Sequence, residues 1–370
     1  MKELKNIISA IENLEKNKQA AAIATLVKVS GSTYRSPGAR MLISADGNTI
    51  GAISGGCLES DIFEKAQAVI ESVNPILIKY DTTSEEDMVW GLGLGCQGIA
   101  YVLIEPLGQT KLQEIALIKK CISTRTYGAI ATVISVEGKS QTQLGQRLLL
   151  GDETIINNLS DDNLLTEVLN DTRAALQNNK SILRVYDLVN EKIEVFIEVI
   201  QPPLSLIIFG AGYDVLPLLN FSKQLGWDVT IVDNRQREAS KKRFAQADKI
   251  LLSAPDNILE NIEITELTAA VVMSHNYLDD LEMLKLLLPS KLKYLGILGP
   301  KKRTNRILEE LQAEGITSDA SIYSPVGLDI GADNAEEIAL SIVSEIQAVT
   351  SQRKAGFLKN RNAPIHEKKA

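Results

Sequence analysis

Three cysteines (Cys57, Cys96 and Cys121) in 370 residues are too few for a disulfide framework, and they suit a reducing compartment. The two histidines, His275 and His366, lie far from Cys57 and Cys96, and no CxxC pair occurs, so a metal site is not expected. Positive charge is outweighed, with 39 Lys and Arg against 47 Asp and Glu. The net charge of −8 excludes a general nucleic-acid or anionic-membrane binder. Charges interrupt every apolar stretch before membrane-spanning length. Met1-Lys2-Glu3-Leu4-Lys5 mixes signs and leads into an amphipathic pattern, unlike a secretory leader. A cytoplasmic protein is expected, without membrane or nucleic-acid partners. What remains is ordinary globular composition, 45% hydrophobic and 23% charged, over a length that suits two or three domains.

The chain repeats itself. Residues 22–43 align without a gap on residues 129–150 at an offset of 107, with nine of 22 positions identical, including Gly31/Gly138, Gly38/Gly145 and Arg40/Arg147. Ile76–Asp81 (ILIKYD) matches Ile182–Asp187 (ILRVYD) at an offset of 106. Residues 1–200 therefore read as two copies of one α/β unit, about 20–108 and 127–200. Each copy reads as strand, loop, strand, turn and helix, followed by further strands. In copy one, Leu58–Glu71 has helical spacing, while Ala22–Val29, Met41–Ser44, Ile76–Tyr80 and Ile99–Ile104 are strand-like.

Both copies need the same core, so what only one copy carries points to chemistry. Copy one has Ser54-Gly55-Gly56-Cys57-Leu58-Glu59 at a strand-to-helix junction and Gly91-Leu92-Gly93-Leu94-Gly95-Cys96-Gln97-Gly98 before a strand. Copy two has Asn158-Leu159-Ser160-Asp161-Asp162 near the first and only Asn190-Glu191-Lys192 for the second. Glycines before a helix leave amides free to meet an anion, and the same position favours a thiolate. Ser54, Gly55, Gly56, Gly93 and Gly95 are thus candidate cofactor contacts, and Cys57 and Cys96 candidate reactive thiols facing one cleft. Arg35 and Arg40 could add charge-assisted bonds to a phosphate. Glu59 is either a proton carrier or an answer to the helix dipole. Each thiol can also be read as a small packed residue; Cys121, in an apolar helix pattern, is read that way.

Gln201-Pro202-Pro203 marks a linker. Leu204–Phe209, Gly210-Ala211-Gly212, a helix and a strand ending in Asp233 match the start of a mononucleotide-binding unit. Strands at Lys249–Leu252, Ala270–Ser274 and Tyr294–Leu298 alternate with helices at Leu278–Leu288 and Thr304–Glu314, which argues a doubly wound parallel sheet over 204–350. The fingerprint is incomplete. Val215 stands at the third motif position, and Asp214 in the first turn would repel a pyrophosphate. His275 ends a strand on the ligand-binding side of such sheets, as ligand contact or structural residue. Lys301-Lys302-Arg303 opens a helix against its dipole, which suits either an anionic ligand or solvated charge. Asp333 and Glu336 read as a capping box. Residues 351–370 carry six Lys and Arg against one acid, yet Phe357, Leu358, Pro364 and Ile365 offer apolar anchors, so this basic tail is expected to pack on the protein or on a second subunit.

Several stretches together resemble the XdhC/CoxI family, accessory factors of xanthine dehydrogenase and related molybdenum hydroxylases. They are GSTYRSPGARM (31–41), SGGCLE (54–59), GLGLGCQG (91–98), FGAGYDVLPL (209–218), VVMSHN (271–276), LGPKKR (298–303) and PVGLDIGADNAEEIALSIVSEI (325–346). Tyr213 departs from the pattern, since many relatives have His after GAG. The resemblance implies a duplicated N-terminal α/β domain joined to a Rossmann-type domain. It also implies binding of the molybdenum cofactor, help with its sulfuration and delivery to a hydroxylase apoenzyme, with a cysteine desulfurase as a further partner and a homodimer as the assembly. A carrier role does not demand turnover. The residues alone leave two other readings open: an NAD(P)-dependent oxidoreductase resting on Gly210, Gly212 and Asp233, or an adaptor with structural thiols.

Overall fold

The computed structural model describes residues 1–81, 98–152, 154–188, 191–235, 238–253, 257, 258, 260–317 and 321–362. The chain divides into two compact units, essentially residues 3–202 and 203–360.

In the first unit, α1 (Lys2–Lys16) precedes β1 (Ala21–Gly31), β2 (Arg40–Ser44), β3 (Thr49–Gly51), α2 (Glu59–Ser72), β4 (Ile76–Asp81) and β5 (Gly98–Pro106). Next come α3 (Gln109–Thr124), β6 (Gly128–Gly138), β7 (Arg147–Leu150), β8 (Ile155–Asn157), α4 (Asp162–Gln177), β9 (Ile182–Leu188) and β10 (Glu191–Ile200). The two sheets are antiparallel and run β3-β2-β1-β5-β4 and β8-β7-β6-β10-β9. Position by position this is one order used twice, as the sequence repeat requires.

Alternation along a strand sends successive side chains to opposite faces, and here both faces are covered. In copy one, Ala22, Ala24 and Leu26 meet Ile62, Ala66 and Val69 of α2. On the other face Val27 and Leu103 pack with Ile134 and Phe196 of the second copy, which are their counterparts in register. The repeated tyrosine has one role in each copy. Tyr80 donates to Asp61 (2.6 Å) and Tyr186 to Asp171 (2.9 Å), tying the edge strand to the covering helix.

The residues kept identical between copies meet across the copies. Glu105 and Glu198 hold the same register, opposite Ile23 and Ile130. Arg40 of copy one reaches Glu198 of copy two (2.6 Å), and Arg147 of copy two reaches Glu105 of copy one. Both arginines also meet Glu114 of α3, and Lys111 bridges Glu105 (2.6 Å) and Glu114 (2.9 Å). The glycines fit this arrangement. Gly38 and Gly145 have φ of 97° and 83°, and a Cβ on them would stand 2.8 Å from Glu198 Oε1 and 3.0 Å from Glu105 Oε1. Arg40 was expected to meet a phosphate. Instead its side chain is 4% exposed, and it bonds two carboxylates and the Gly38 carbonyl, so its place is structural. Burial alone would lower its proton affinity, but the Glu198 and Glu114 charges outweigh that and raise it.

The second unit runs β11 (Ser205–Phe209), α5 (Val215–Gln224), β12 (Asp228–Asp233), α6 (Ala239–Arg243), β13 (Lys249–Leu252) and β14 (Thr268–Val272). It continues with α7 (Tyr277–Leu287), β15 (Tyr294–Ile297), α8 (Lys301–Ala313), β16 (Ile322–Tyr323) and α9 (Ala335–Thr350). The six strands are parallel in the order β13-β12-β11-β14-β15-β16, the doubly wound Rossmann arrangement. Leu206 and Ile208 face α5 and α9, while Ile207 and Phe209 face α7 and α8. Two details differ from expectation. The cap of α9 lies one residue later: Asn334 accepts from the Glu337 amide (2.9 Å), and Glu337 accepts from the Asp333 amide (2.8 Å). In the tail, Phe357 and Leu358 are exposed, so neither anchors it on this chain; Pro364 and Ile365 lie outside the described residues.

Candidate functional site

The copy-one sheet gathers its functional loops at one end. Thr25 pairs with Arg40 and Met41 with Gly51, so the loops 32–39 and 52–58 leave from the same edge. Asp81 pairs with Ile99 and Gly31 with Gly98, so the described chain leaves β4 and re-enters β5 at that end too. Cys96, Gly93 and Gly95 belong to the segment between, outside the described residues, and the expectation of two thiols on one cleft lies there with them. Gly98 is required where it is, because a Cβ would run into the Ser32 carbonyl.

Cys57 sits just before α2, half-buried, with a free thiol 3.5 Å from Ser54 Oγ. Its loop is held from inside. Glu59 Oε1 accepts from the amides of Ile53 (3.2 Å) and Ser54 (2.7 Å), and Oε2 from Leu58 (3.2 Å) and the Ser54 hydroxyl. Ser54 Oγ in turn accepts from Gly56 (3.3 Å) and Leu58 (3.1 Å). Copy two caps the equivalent helix in the ordinary way, with Asp161 accepting from Leu164 (2.7 Å).

This geometry changes two expectations. The glycine turn was read as an anion cradle, but the chain's own Glu59 carboxylate already meets the helix N-terminus, and the amides of Ile53, Ser54, Gly56 and Leu58 are taken. Glu59 itself was read as a proton carrier or a dipole partner. Burial raises its pKa, yet hydrogen bonds from Ser54 and the neighbouring amides prevail and hold it below the usual carboxylate value. An ionised clamp is the role that follows.

Beside the partly buried thiol, the glycines leave open space on the turn itself. Gly56 has φ of 112°, and nothing lies within 4 Å of where its Cβ would be. A Cβ on Gly55 would make ordinary contact (3.7 Å) with the ring of Tyr34, which is 63% exposed. Arg35, next in the loop, is held in a bidentate pair by Glu3 of α1 (2.9 and 3.1 Å). That pair raises its proton affinity and would have to open before Arg35 met a phosphate. Cys121 is buried on the inner side of α3 beside Gly128, and burial pushes its thiol up. Among the described residues no cluster of three or more His, Cys, Asp and Glu is placed to hold a metal ion.

In the Rossmann unit the fingerprint residues serve the fold. Gly210 has φ of 146°, and a Cβ there would strike the Met273 carbonyl at the end of β14. A Cβ on Gly212 would strike the Asp214 carboxylate. Asp233 is buried and accepts from the Ser240 hydroxyl (2.5 Å) and the Arg235 amide (3.1 Å), rather than standing open for a ribose. A small cleft of about 180 Å³, part of it open to solvent, is lined by Phe209, Gly210, Val232, Asn234, Ser274 and Met283. Arg303 was grouped with Lys301 and Lys302 as an anion site; its guanidinium instead answers Asp280, a buried carboxylate that also accepts from Ser274. Burial raises the Asp280 pKa despite both partners. Lys301 and Lys302 stay exposed. His275 is exposed at the strand ends, with Nε2 2.7 Å from Asp214 Oδ2.

Sequence reasoning missed the Ser54–Glu59 clamp, the Asp280–Arg303 pair and the Asp214 partner of His275. The first had a signal in the S-x-x-x-x-E spacing across the turn. The others join residues 23 and 61 apart and carried none.

Comparison with known proteins gives the context. Residues 206–346 match the XdhC Rossmann domain, and residues 14–81 and 121–187 match the XdhC and CoxI family, once in each copy. The chain is 34% identical to a probable xanthine dehydrogenase subunit of Bacillus subtilis over 92% of its own length and 96% of that protein's. It is 23% identical to the molybdenum cofactor insertion chaperone PaoD of Escherichia coli, covering 92% and 86%. A crystal structure of a xanthine dehydrogenase from Bacillus halodurans superposes with a TM-score of 0.76 at 32% identity, covering 94% and 96% of the two chains. By the match in both halves and the identity over nearly its whole length, the chain belongs to the XdhC and CoxI family.

Proposed function

We propose that this protein is an accessory factor of a molybdenum hydroxylase such as xanthine dehydrogenase. It takes the molybdenum cofactor as cargo, assists its sulfuration with sulfur from a cysteine desulfurase, and hands it to the apoenzyme. The observation that carries the reading is the free, partly buried Cys57 on an open glycine turn that the second copy lacks. The relatives named for xanthine dehydrogenase and for cofactor insertion support the choice of cargo and client.

The residues fit the sulfur end of such a cargo better than its phosphate. Around Cys57 the amides of Ile53, Ser54, Gly56 and Leu58 are engaged by Glu59 and Ser54, and Arg35 is paired with Glu3, so among the described residues this turn has few donors left for a phosphate. What the turn offers is a thiol with a hydroxyl neighbour, clear space at Gly56 and the exposed ring of Tyr34 beside it. When bound, the cargo would supply the metal and sulfur ligands of the hydroxylase centre. The chain's own part is to fix the thiol through Ser54 and Glu59 and to leave its approach open.

Anaerobic purification with pterin and molybdenum analysis tests the reading. Wild-type protein should carry molybdopterin and activate apo-hydroxylase, and Cys57→Ala should lose activation while remaining folded. Absence of pterin from the wild type, together with undiminished activation by Cys57→Ala, would leave an adaptor with structural thiols. Sedimentation checks the expected homodimer.

A further inference from the structure

The end of the Rossmann unit is divided by charge. Residues 325–350 carry five acids (Asp329, Asp333, Glu336, Glu337 and Glu345) and no Lys or Arg. Residues 351–360 carry Arg353, Lys354 and Lys359 and no acid. Each block also holds apolar side chains out in solvent. Ile330 and Leu340 are 50% and 46% exposed, and Phe357 and Leu358 are 76% and 65% exposed.

The acidic block forms one face. Ala339, Ile342, Val343 and Ile346 turn α9 toward the core, which leaves Glu336 and Leu340, one turn apart, on its outer side. The leading loop is held along the same helix, because Leu328 donates to the Ser341 carbonyl (3.3 Å) and accepts from the Ser341 hydroxyl (2.5 Å). Asp329 and Ile330 follow on that loop. The helix dipole accounts for Glu336 and Glu337, but not for Asp329, Ile330 or Leu340. Among the described residues Asp329, Asp333 and Glu336 have no ion pair. Single exposed apolar residues are ordinary; two set among unpaired carboxylates mark a contact surface.

The basic block is an arm. It leaves α9 in a fixed way, with Gln352 donating to Val349 (3.0 Å) and Arg353 to Ala348 (2.8 Å). A short turn at Leu358–Asn360, closed from Asn360 to Phe357 (3.0 Å), then presents the two apolar side chains. The arm starts at the far end of a 16-residue helix from the acidic face, about 24 Å away. All of residues 351–360 are exposed, so the chain's own arm leaves both surfaces uncovered.

We propose that the arm at residues 351–360 docks on the acidic α9 face of a second copy of this chain, and that the second copy returns its own arm. Phe357 and Leu358 cover Ile330 and Leu340, while Lys354 and Lys359 meet Asp329, Asp333 and Glu336. Because each copy gives one arm and offers one face, the exchange closes at two chains instead of running on into a fibre. The contact uses only the Rossmann unit and does not rest on the cargo reading.

Sedimentation of the full chain over a range of protein and salt concentrations tests the exchange. The wild type should form a dimer that weakens as salt rises. Two double variants reverse charge at exposed positions: Asp329→Lys with Glu336→Lys on the face, and Lys354→Glu with Lys359→Glu on the arm. Each alone should self-associate roughly tenfold or more weakly, with thermal transitions showing that both remain folded. Mixed one to one they should dimerise again, because the basic face of one meets the acidic arm of the other, and the reverse. Phe357→Ala, a change at an exposed residue, should weaken the dimer to a similar degree. Cys57→Ala should dimerise as the wild type does, which keeps this result apart from the thiol loop. A wild type that stays monomeric, a dimer untouched by these changes, or a mixture that fails to restore association overturns the proposal. A monomeric wild type whose arm binds phosphatidylglycerol vesicles would assign the basic segment to a membrane and overturn it as well.

Discussion

Glu59 and Arg40 show how one charged side chain can be read as a ligand contact and turn out to hold the fold. Glu59 gathers three amides and a hydroxyl into one carboxylate, and Cys57 rides on the loop so held. Glu59→Gln keeps the shape and removes the charge. Because the group is only partly buried, a loss of about 1–2 kcal/mol is expected in denaturant unfolding. Alkylation of Cys57 should speed up as the loop loosens; an unchanged rate and stability would mean the clamp does not govern the thiol. Arg40→Ala is the harsher change, since it strands Glu198 and part of Glu114 without a cation. Such a break in a buried network costs about 3–5 kcal/mol, and it should appear as global instability instead of a selective loss of cargo. The sequence showed Arg40 and Arg147 as a repeated pair but could not say why both were kept. Their partners, Glu198 and Glu105, lie in the other copy, and nothing in a linear pattern marks a contact across a repeat.

Elements were more legible than contacts. The helix α2 at Glu59–Ser72 and the strands around it follow from apolar period and turn residues, and these signals are local. The alternation after Phe209 led to the parallel sheet because crossover helices of that length allow little else. Starts were harder to read. For α8 the apolar pattern starts only at Thr304, whereas Lys301-Lys302-Arg303 reads as opening a helix. The helix does begin at Lys301, after Pro300 and with the Asp280–Arg303 pair in its first turn. Capping at α7 makes the same point in a testable form. Asn276 accepts two amides at the helix start while holding His275 in its left-handed conformation. Asn276→Ala should cost about 1 kcal/mol in stability and let the His275 corner relax. A thermal transition equal to the wild type would show that Ser274 and Asp280 suffice without the cap.

At the scale of the first unit, the duplication works as a dimer within one chain. Equivalent sheet faces pack on each other, and equivalent arginines cross to equivalent glutamates, with Glu114 and Lys111 of α3 completing the cluster. Neither copy can satisfy its buried charge alone, so the two should melt together. Titration gives that claim a signature. Burial raises the Glu114 pKa, but Lys111, Arg147 and Arg40 outweigh it and hold the group far below an ordinary carboxylate. A depressed carboxylate stabilises the fold in full above its unfolded value, about 4.3, and that contribution fades as pH falls toward the lower folded value. Tyr80 and Tyr186 act in the opposite sense. Burial, then the Asp61 and Asp171 carboxylates, raise their hydroxyls, so their contribution is whole below about pH 10 and is lost above it as the folded groups ionise. Stability of the unit should therefore be level between these limits as far as these groups govern it, and should fall on either side. Tryptophan cannot follow this unit selectively within the described residues, because Trp227 lies in the Rossmann unit. Amide hydrogen exchange on β1 and β6 can. Their protection should decline together as pH drops below about 4, and Glu114→Gln should remove most of that acid dependence from both strands at once. If β6 kept its protection while β1 lost it, the two copies would be independent folding units and the crossed ion pairs would be incidental to their union.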